Sequence, residues 1–381
     1  MNSGTHFLLG QSQDPDWRQA AGQCLEQIGA VPAHANLGFV YATDIHAEQL
    51  QSIVAQLRDA SGVRHWVGTV GVAICTTGRE YYESPALAVM IGALPADSFR
   101  ILPFYNRSAD TLPGGWDTWL SRSGSHIAVL HGDPANSILP QLLTRLSDEL
   151  PGGYLVGGLT SSHGSRPQVA DEVLDGGLSG VVFNREAGLL TGLTQGCSPI
   201  AGRHTITHCD GNIINAIDDR PALEVFNQDI GEILARDLNR AAGYIFAGLP
   251  VRGSDTADYL VRNLIGIDMQ GKRIAIGDMV HQGQQIQFCR RDGQTALEDM
   301  QRMLDSLKQR LSGPACGGLY FSCLGRGREL FGAESAELDM IRHTLGDFPL
   351  VGFFANGEIS NQRLYGYTGV LVLFTQGNSD Y

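Results

Sequence analysis

Two rhythms of apolar positions run along the chain. A period near 3.6 marks amphipathic helices, and short continuous apolar runs closed by glycine or polar residues mark buried strands. From 15 to 28, Trp17, Ala20, Ala21, Cys24, Leu25 and Ile28 share one helical face. A strand follows at 36–41. Asp44 is placed to cap a helix over 47–60 whose apolar face is Leu50, Ile53, Val54 and Leu57. Strands are expected at 63–69 and 86–91.

The same plan returns twice. Residues 126–130 read as a strand, 138–150 as an amphipathic helix, and 153–159 as a strand ending in polar Thr160, Ser161 and Ser162. Residues 319–324 read as a strand, 334–345 as a helix, and 349–355 as a strand ending at Asn356-Gly357-Glu358. Each copy enters its second strand through an apolar residue and Val-Gly: Trp66-Val67-Gly68, Leu155-Val156-Gly157 and Leu350-Val351-Gly352. A fourth copy is suggested by a helix over 221–240 and a strand over 243–249.

Between the second and third copies the pattern is β-rich. Short strands are expected at 187–194, 204–207, 213–217, 263–268, 273–276 and 285–289. Cys209-Asp210-Gly211-Asn212 is a hairpin turn, and a long helix covers 294–311. Two halves meet near Gly196-Cys197-Ser198-Pro199, where a strand breaks. The fold class is α/β: mixed sheets with repeated strand–helix–strand units packed between helices, in two pseudo-related halves.

Such crossovers require parallel strands, which end on one edge of the sheet. That edge is where open α/β sheets hold ligands. Cys323, Arg326, Asn356 and Glu358 are therefore expected to converge. Glycines 325 and 327 let backbone N–H groups face a concave site, and arginine offers a planar fork to a carboxylate. Glu358 suits an amino group, and Asn356 either. The plainer alternative is a structural turn in which Glu358 only pairs with Arg326.

Composition narrows the class. The 381 residues are 43% hydrophobic and 18% charged, enough for a sizeable core, and the formal charge of −13 disfavours nucleic acid and anionic membrane. No apolar run reaches the ~20 residues that span a bilayer. No basic stretch followed by an apolar core opens the sequence, so no signal peptide is expected. The seven cysteines lack zinc-like spacing, and their odd number fits a reducing cytoplasm. Asp133, Asp171-Glu172 and Asp218-Asp219 match no calcium-loop pattern and read as solvated turns. The glycine pairs match no dinucleotide fingerprint. Cys323 beside two arginines suits a thiolate nucleophile, but no Cys-His-Asp order supports catalysis.

Cys323-Leu324-Gly325-Arg326-Gly327-Arg328, Phe331-Gly332, Glu337 and the run 349–359 resemble the C-terminal half of the FIST domain. Gln195 to Ile200 with Asp219-Arg220-Pro221-Ala222 is similar to that family's junction, and Val156-Gly157-Gly158-Leu159 to its N-terminal half. Gly68-Thr69-Val70-Gly71-Val72 departs from the family's Gly-Cys first loop. The resemblance implies an N-terminal half over 1–198 and a C-terminal half over 199–381. It implies a cytoplasmic sensory module that binds a small, amino-acid-like ligand through Cys323, Gly325, Arg326, Gly327, Asn356, Gly357 and Glu358. Its signal passes to a separate partner, a histidine kinase or other signalling protein. A haem-binding, nitric-oxide-sensing branch of the family makes haem the alternative. Among the eleven histidines, His204 and His208, four apart on one strand face, are the candidate axial ligands. A cysteine-dependent enzyme using Cys323 is a further alternative.

Overall fold

In each of the three copies the two strands joined by the helix are parallel. The computed structural model describes residues 5–107, 110–122, 125–235, 244–251, 259–332 and 335–376. Two compact units divide the chain. The first is Met1–Thr194, Met300–Leu364 and Thr368–Tyr381; the second is Gln195–Asp299 with Tyr365–Tyr367.

The first repeat runs β1 (His6–Ser12), α1 (Trp17–Ile28), β2 (Leu37–Thr43), α2 (Leu50–Ser61), β3 (His65–Gly71), β4 (Ala73–Thr76), β5 (Arg79–Tyr82) and β6 (Leu87–Ala93). The second runs β7 (Phe99–Tyr105), α3 (Trp116–Leu120), β8 (His126–Gly132), α4 (Leu139–Glu149), β9 (Gly153–Leu159), β10 (Gln168–Ala170), β11 (Glu172–Leu174) and β12 (Leu178–Asn184). The third opens with β13 (Leu189–Gln195).

The second unit follows: β14 (Cys197–Pro199), β15 (His204–Asp210), β16 (Ile213–Ile217), β17 (Arg220–Pro221), α5 (Ala222–Ala235), β18 (Ile245–Pro250), β19 (Tyr259–Asp268), β20 (Arg273–Ile276) and β21 (Gln285–Arg291). The third repeat then resumes with α6 (Gly293–Arg310), β22 (Gly317–Cys323), α7 (Arg328–Phe331), α8 (Ala336–Leu345), β23 (Leu350–Ala355), β24 (Glu358–Ser360), β25 (Arg363–Tyr365) and β26 (Thr368–Phe374).

The repeats of the first unit exchange hairpins in a cycle. The sheet orders are β1-β6-β2-β3-β10-β11, β7-β12-β8-β9-β24-β25 and β13-β26-β22-β23-β4-β5. Each sheet keeps its own parallel pair and antiparallel neighbours and receives a hairpin from another repeat. One apolar core takes residues from all three sheets, including Phe39, Tyr41, Val129, Phe183, Phe321 and Phe353. The outer face of each sheet is covered by its own helices: α1 and α2, then α4, then α6 from Met300 onward with α8.

The Val-Gly signature has one physical cause in all copies. A Cβ on Gly68, Gly157 or Gly352 would lie 1.8, 1.9 or 1.8 Å from the carbonyl oxygen of Val40, Leu130 or Tyr320 on the parallel neighbour. Any side chain there collides with backbone, so only glycine lets the pair close.

Three expectations need correction. Asp44 opens a short 3-10 turn, and α2 begins at Leu50. The carboxylate of Asp44 accepts from His163 instead of capping α2. The fourth copy is not a copy: β18 pairs antiparallel with both β19 and β21. In the second unit β21, β15, β16, β20, β19 and β18 close into a ring, and α5 packs Leu223, Val225 and Phe226 into its core. The extended helix expected to 240 kinks at Gly231 (φ 79°), and its end at 236–240, the start of the expected strand at Gly243 and the start of the expected helix at Glu334 lie outside the described residues. No helix among the described residues is long and apolar enough to cross a membrane.

Candidate functional site

β22 and β23 end on the same edge, in the register Cys323 opposite Ala355. Past that edge the chain turns at once, Arg326 N–H donating to the Cys323 carbonyl over 2.8 Å. Gly327 adopts φ +51°, and a Cβ there would lie 2.0 Å from the Tyr82 hydroxyl. The glycine lets this turn fold under Tyr82 and carry Arg326 into the interior.

Arg326 is fully buried, and its fork is turned to Glu337 of α8. Its Nε and Nη2 lie 2.8 and 2.7 Å from Glu337 Oε1. Glu337 also accepts from Tyr320 Oη (2.6 Å), Ser322 Oγ (2.9 Å) and Gly327 N–H (3.1 Å). Burial opposes the charge on Arg326, but Glu337 outweighs it and holds the guanidinium protonated. Arg328 stays exposed, pairs with Glu83 and lies over the Tyr82 ring. Tyr82 donates to Glu80 over 2.8 Å. Burial, with Glu337 adding to it, lifts the Glu80 carboxyl to about 7.

Glu358, on β24, is fully buried. Its Oε2 accepts from the Thr368 hydroxyl (2.7 Å) and the Thr368 N–H (3.2 Å). Burial pushes its carboxyl up to about 8, against the pull of Thr368, the Arg326 guanidinium and the Cys323 thiol. Of the four residues expected to converge, Cys323, Arg326 and Glu358 thus share one neighbourhood, Glu358 reaching it from β24. Cys323 lies near the carboxyl, yet no partner among the described residues reaches Oε1 with hydrogen-bond geometry. Asn356 is exposed, and Gly325 and Gly357 are half-buried. The Asn356-Gly357 turn is pinned by backbone alone: Asn356 N–H donates to Leu159, and Leu159 N–H to Gly357.

The repeats supply their own control. Ile74, Gln168 and Glu358 hold equivalent places on the three exchanged hairpins, opposite Phe353, Thr69 and Gly158. Ile74 asks for no partner. Gln168 donates to Gly177 and accepts from Ser179. Only Glu358 keeps a buried polar atom unsatisfied, at a cost of roughly 1–3 kcal/mol. One strand inward, Tyr41, His131 and Phe321 are also equivalent, and their ring centroids form a triangle of 5.5, 6.3 and 6.1 Å. Tyr41 Oη lies 3.0 Å from His131 Nε2, and burial drives the His131 imidazole down to about 3, so it is neutral.

The two candidate haem ligands do not fit an iron. His204 Nδ1 lies 2.6 Å from Asp218 and Nε2 2.9 Å from Asp229, so both ring nitrogens are taken. The register of β15 shifts on either side of His208, which is exposed while His204 is half-buried. Asp171 and Asp218 serve turns, accepting from the Trp66 and Thr205 N–H groups. His343 bonds back to Asp339 on its own helix and offers Cys323 no base.

Glu337, Glu80 and Tyr82 escaped the sequence reading as parts of this network. The available signal was Glu337 itself, an acid in the first turn of the crossover helix, one helix away from an arginine followed by glycine.

Two family models match the chain. One, the FIST N domain, covers residues 36–220; the other, the FIST C domain, covers 222–361. The two matches meet inside the second unit. An uncharacterized protein of Mycobacterium tuberculosis is 30% identical over 387 residues, 96% of this chain and 98% of its own length. An uncharacterized protein of Mycobacterium bovis is 30% identical over 385 residues, again 96% and 98%.

Proposed function

The chain belongs to the FIST family, generally taken as sensory domains of signal transduction, and from that premise we propose that it senses a small polar, amino-acid-like ligand in the cytoplasm. The ligand is held at the strand ends of the third repeat, and the signal passes to a separate partner such as a histidine kinase. Glu358 carries this reading: a buried carboxyl with one oxygen left over, in a place where the other two repeats leave nothing over. Such an atom is costly in an empty fold and useful in one completed by a ligand. Gly325, Asn356 and Gly357 provide the approach from solvent. Arg326 serves through its ion pair, fixing the turn, while Glu358 takes the amino group.

Calorimetry of the full chain against the twenty amino acids tests the proposal. At least one is expected to give saturable heat and a thermal shift, both weakened tenfold or more in E358Q. No heat and no shift for any member overturns it.

A further inference from the structure

Glu358 carries a second consequence. Its Oε2 accepts two donors, one of them a backbone N–H that can only donate. A neutral carboxyl there carries its proton either on Oε2, with the Thr368 hydroxyl turned to accept it, or on Oε1; in both cases Oε1 is the oxygen left without a hydrogen-bond partner among the described residues. The surroundings supply no charge in need of balance. From β26 the carboxyl meets Thr368, and from the end of β22 the Cys323 thiol. Arg326 lies beyond, already neutralised by Glu337 of α8. Along its own sheet, past Gly158, stands His131 of β8, which burial keeps neutral.

An ammonium group brought beside a neutral acid in such a place has no counter-charge, and a buried unpaired charge is costly. If the acid ionises, the same group finds a carboxylate oxygen waiting. Resting on the reading of this site as a ligand site, we propose that Glu358 recognises a primary ammonium group by exchange. The cation enters beside Oε1, the Glu358 carboxyl O–H bond breaks, and one proton leaves to solvent. The buried net charge is the same before and after. Amine sensing by this chain is thereby coupled to pH.

Exchange fixes the sign. Binding needs the ionised form, so affinity rises about tenfold per pH unit below the Glu358 pKa of about 8 and levels off above it. Glutamine is a fair replacement, since Gln168 occupies the equivalent place in the second repeat.

The test uses the full chain, methylammonium chloride and the twenty amino acids. Infrared spectra at pH 7 are expected to show a protonated-acid C=O band that is missing in E358Q. Titration with a binding amine is expected to remove the band. Calorimetry in two buffers of different ionisation enthalpy is expected to report about one proton released per amine bound. Heat that is identical in both buffers, or an acid band unchanged at saturation, overturns the exchange and leaves the sensory reading standing. Absence of binding by every amine overturns both.

Discussion

Arg326 and Glu337 form an ion pair without an exposed atom, with two guanidinium nitrogens 2.7 and 2.8 Å from one carboxylate oxygen. Three further donors complete Glu337, so the pair organises the whole turn after β22. Removing one partner strands a buried charge. Glu337→Ala is expected to cost about 3–5 kcal/mol, read by urea unfolding. The double change Arg326→Met with Glu337→Leu is expected to recover much of that loss, because it removes both charges together. Equal losses in the single and double variants would show that the pair is not what the turn depends on.

Gly352 meets the Tyr320 carbonyl in the third repeat as Gly157 meets Leu130 in the second. Gly352→Ala is expected to cost more than about 4 kcal/mol, or to abolish soluble expression, since backbone cannot yield as a side chain can. Gly22, in α1 with open space around it, is the matched control. There alanine is expected to stabilise by up to ~1 kcal/mol. Denaturation midpoints of the two variants decide the matter.

Glu358 also leaves a mark on stability. Its carboxyl is raised to about 8 in the fold, whereas an unfolded glutamate ionises near 4.5. The folded state therefore holds more protons between these values. Its contribution is fully present below about 4.5 and is lost as pH rises through about 8. Glu358→Gln is expected to flatten this fall by a few kcal/mol. Chemical denaturation at pH 5, 7 and 9 measures it, and equal slopes for both proteins would refute a raised carboxyl.

His204 titrates in the same direction for a different reason. Burial lowers its pKa, but Asp218 and Asp229 outweigh burial and the net shift is upward. The added stability is fully present below the ordinary 6.5 and is lost as pH rises through the raised value. His204 is half-buried and Asp218 exposed, so solvent screens the cluster and the gain is about 1 kcal/mol. An NMR titration of the His204 ring in wild type and Asp229→Asn is expected to show the pKa fall in the variant. No change would mean that Asp229 does not hold the charge.

The three-copy plan was legible because its cause is local. Apolar periodicity marked the helices, and Val-Gly marked the strand that must press on a neighbouring carbonyl. The shared edge of Cys323 and Ala355 was legible too, since a parallel crossover has one allowed outcome; of the residues expected to converge there, Asn356 is exposed, and Glu358 comes in on the exchanged hairpin. The hairpin exchange was not. β4, β10 and β24 look alike whether they pair at home or abroad, and pairing partners leave no trace in local pattern. The fate of Arg326 was hidden for a related reason: nothing in the spacing says which acid a buried guanidinium will meet. The suggested fourth copy failed because β18, an apolar run like the parallel strands, is buried within an antiparallel ring instead.

The cycle of lent hairpins constrains how this chain is made. The first sheet waits for β10 and β11 from the second repeat, the second for β24 and β25 from the third, and the third needs β4 and β5 from the first. During synthesis the first sheet is complete once β11 has emerged, but β9 of the second sheet keeps a bare hydrogen-bonding rim until β24 follows, and β4 of the third until β23 follows; bare rims invite aggregation. A gene truncated just before residue 358 would therefore yield, in place of a smaller working protein, one finished sheet and two with open edges, on β9 and on β22, in search of a neighbour.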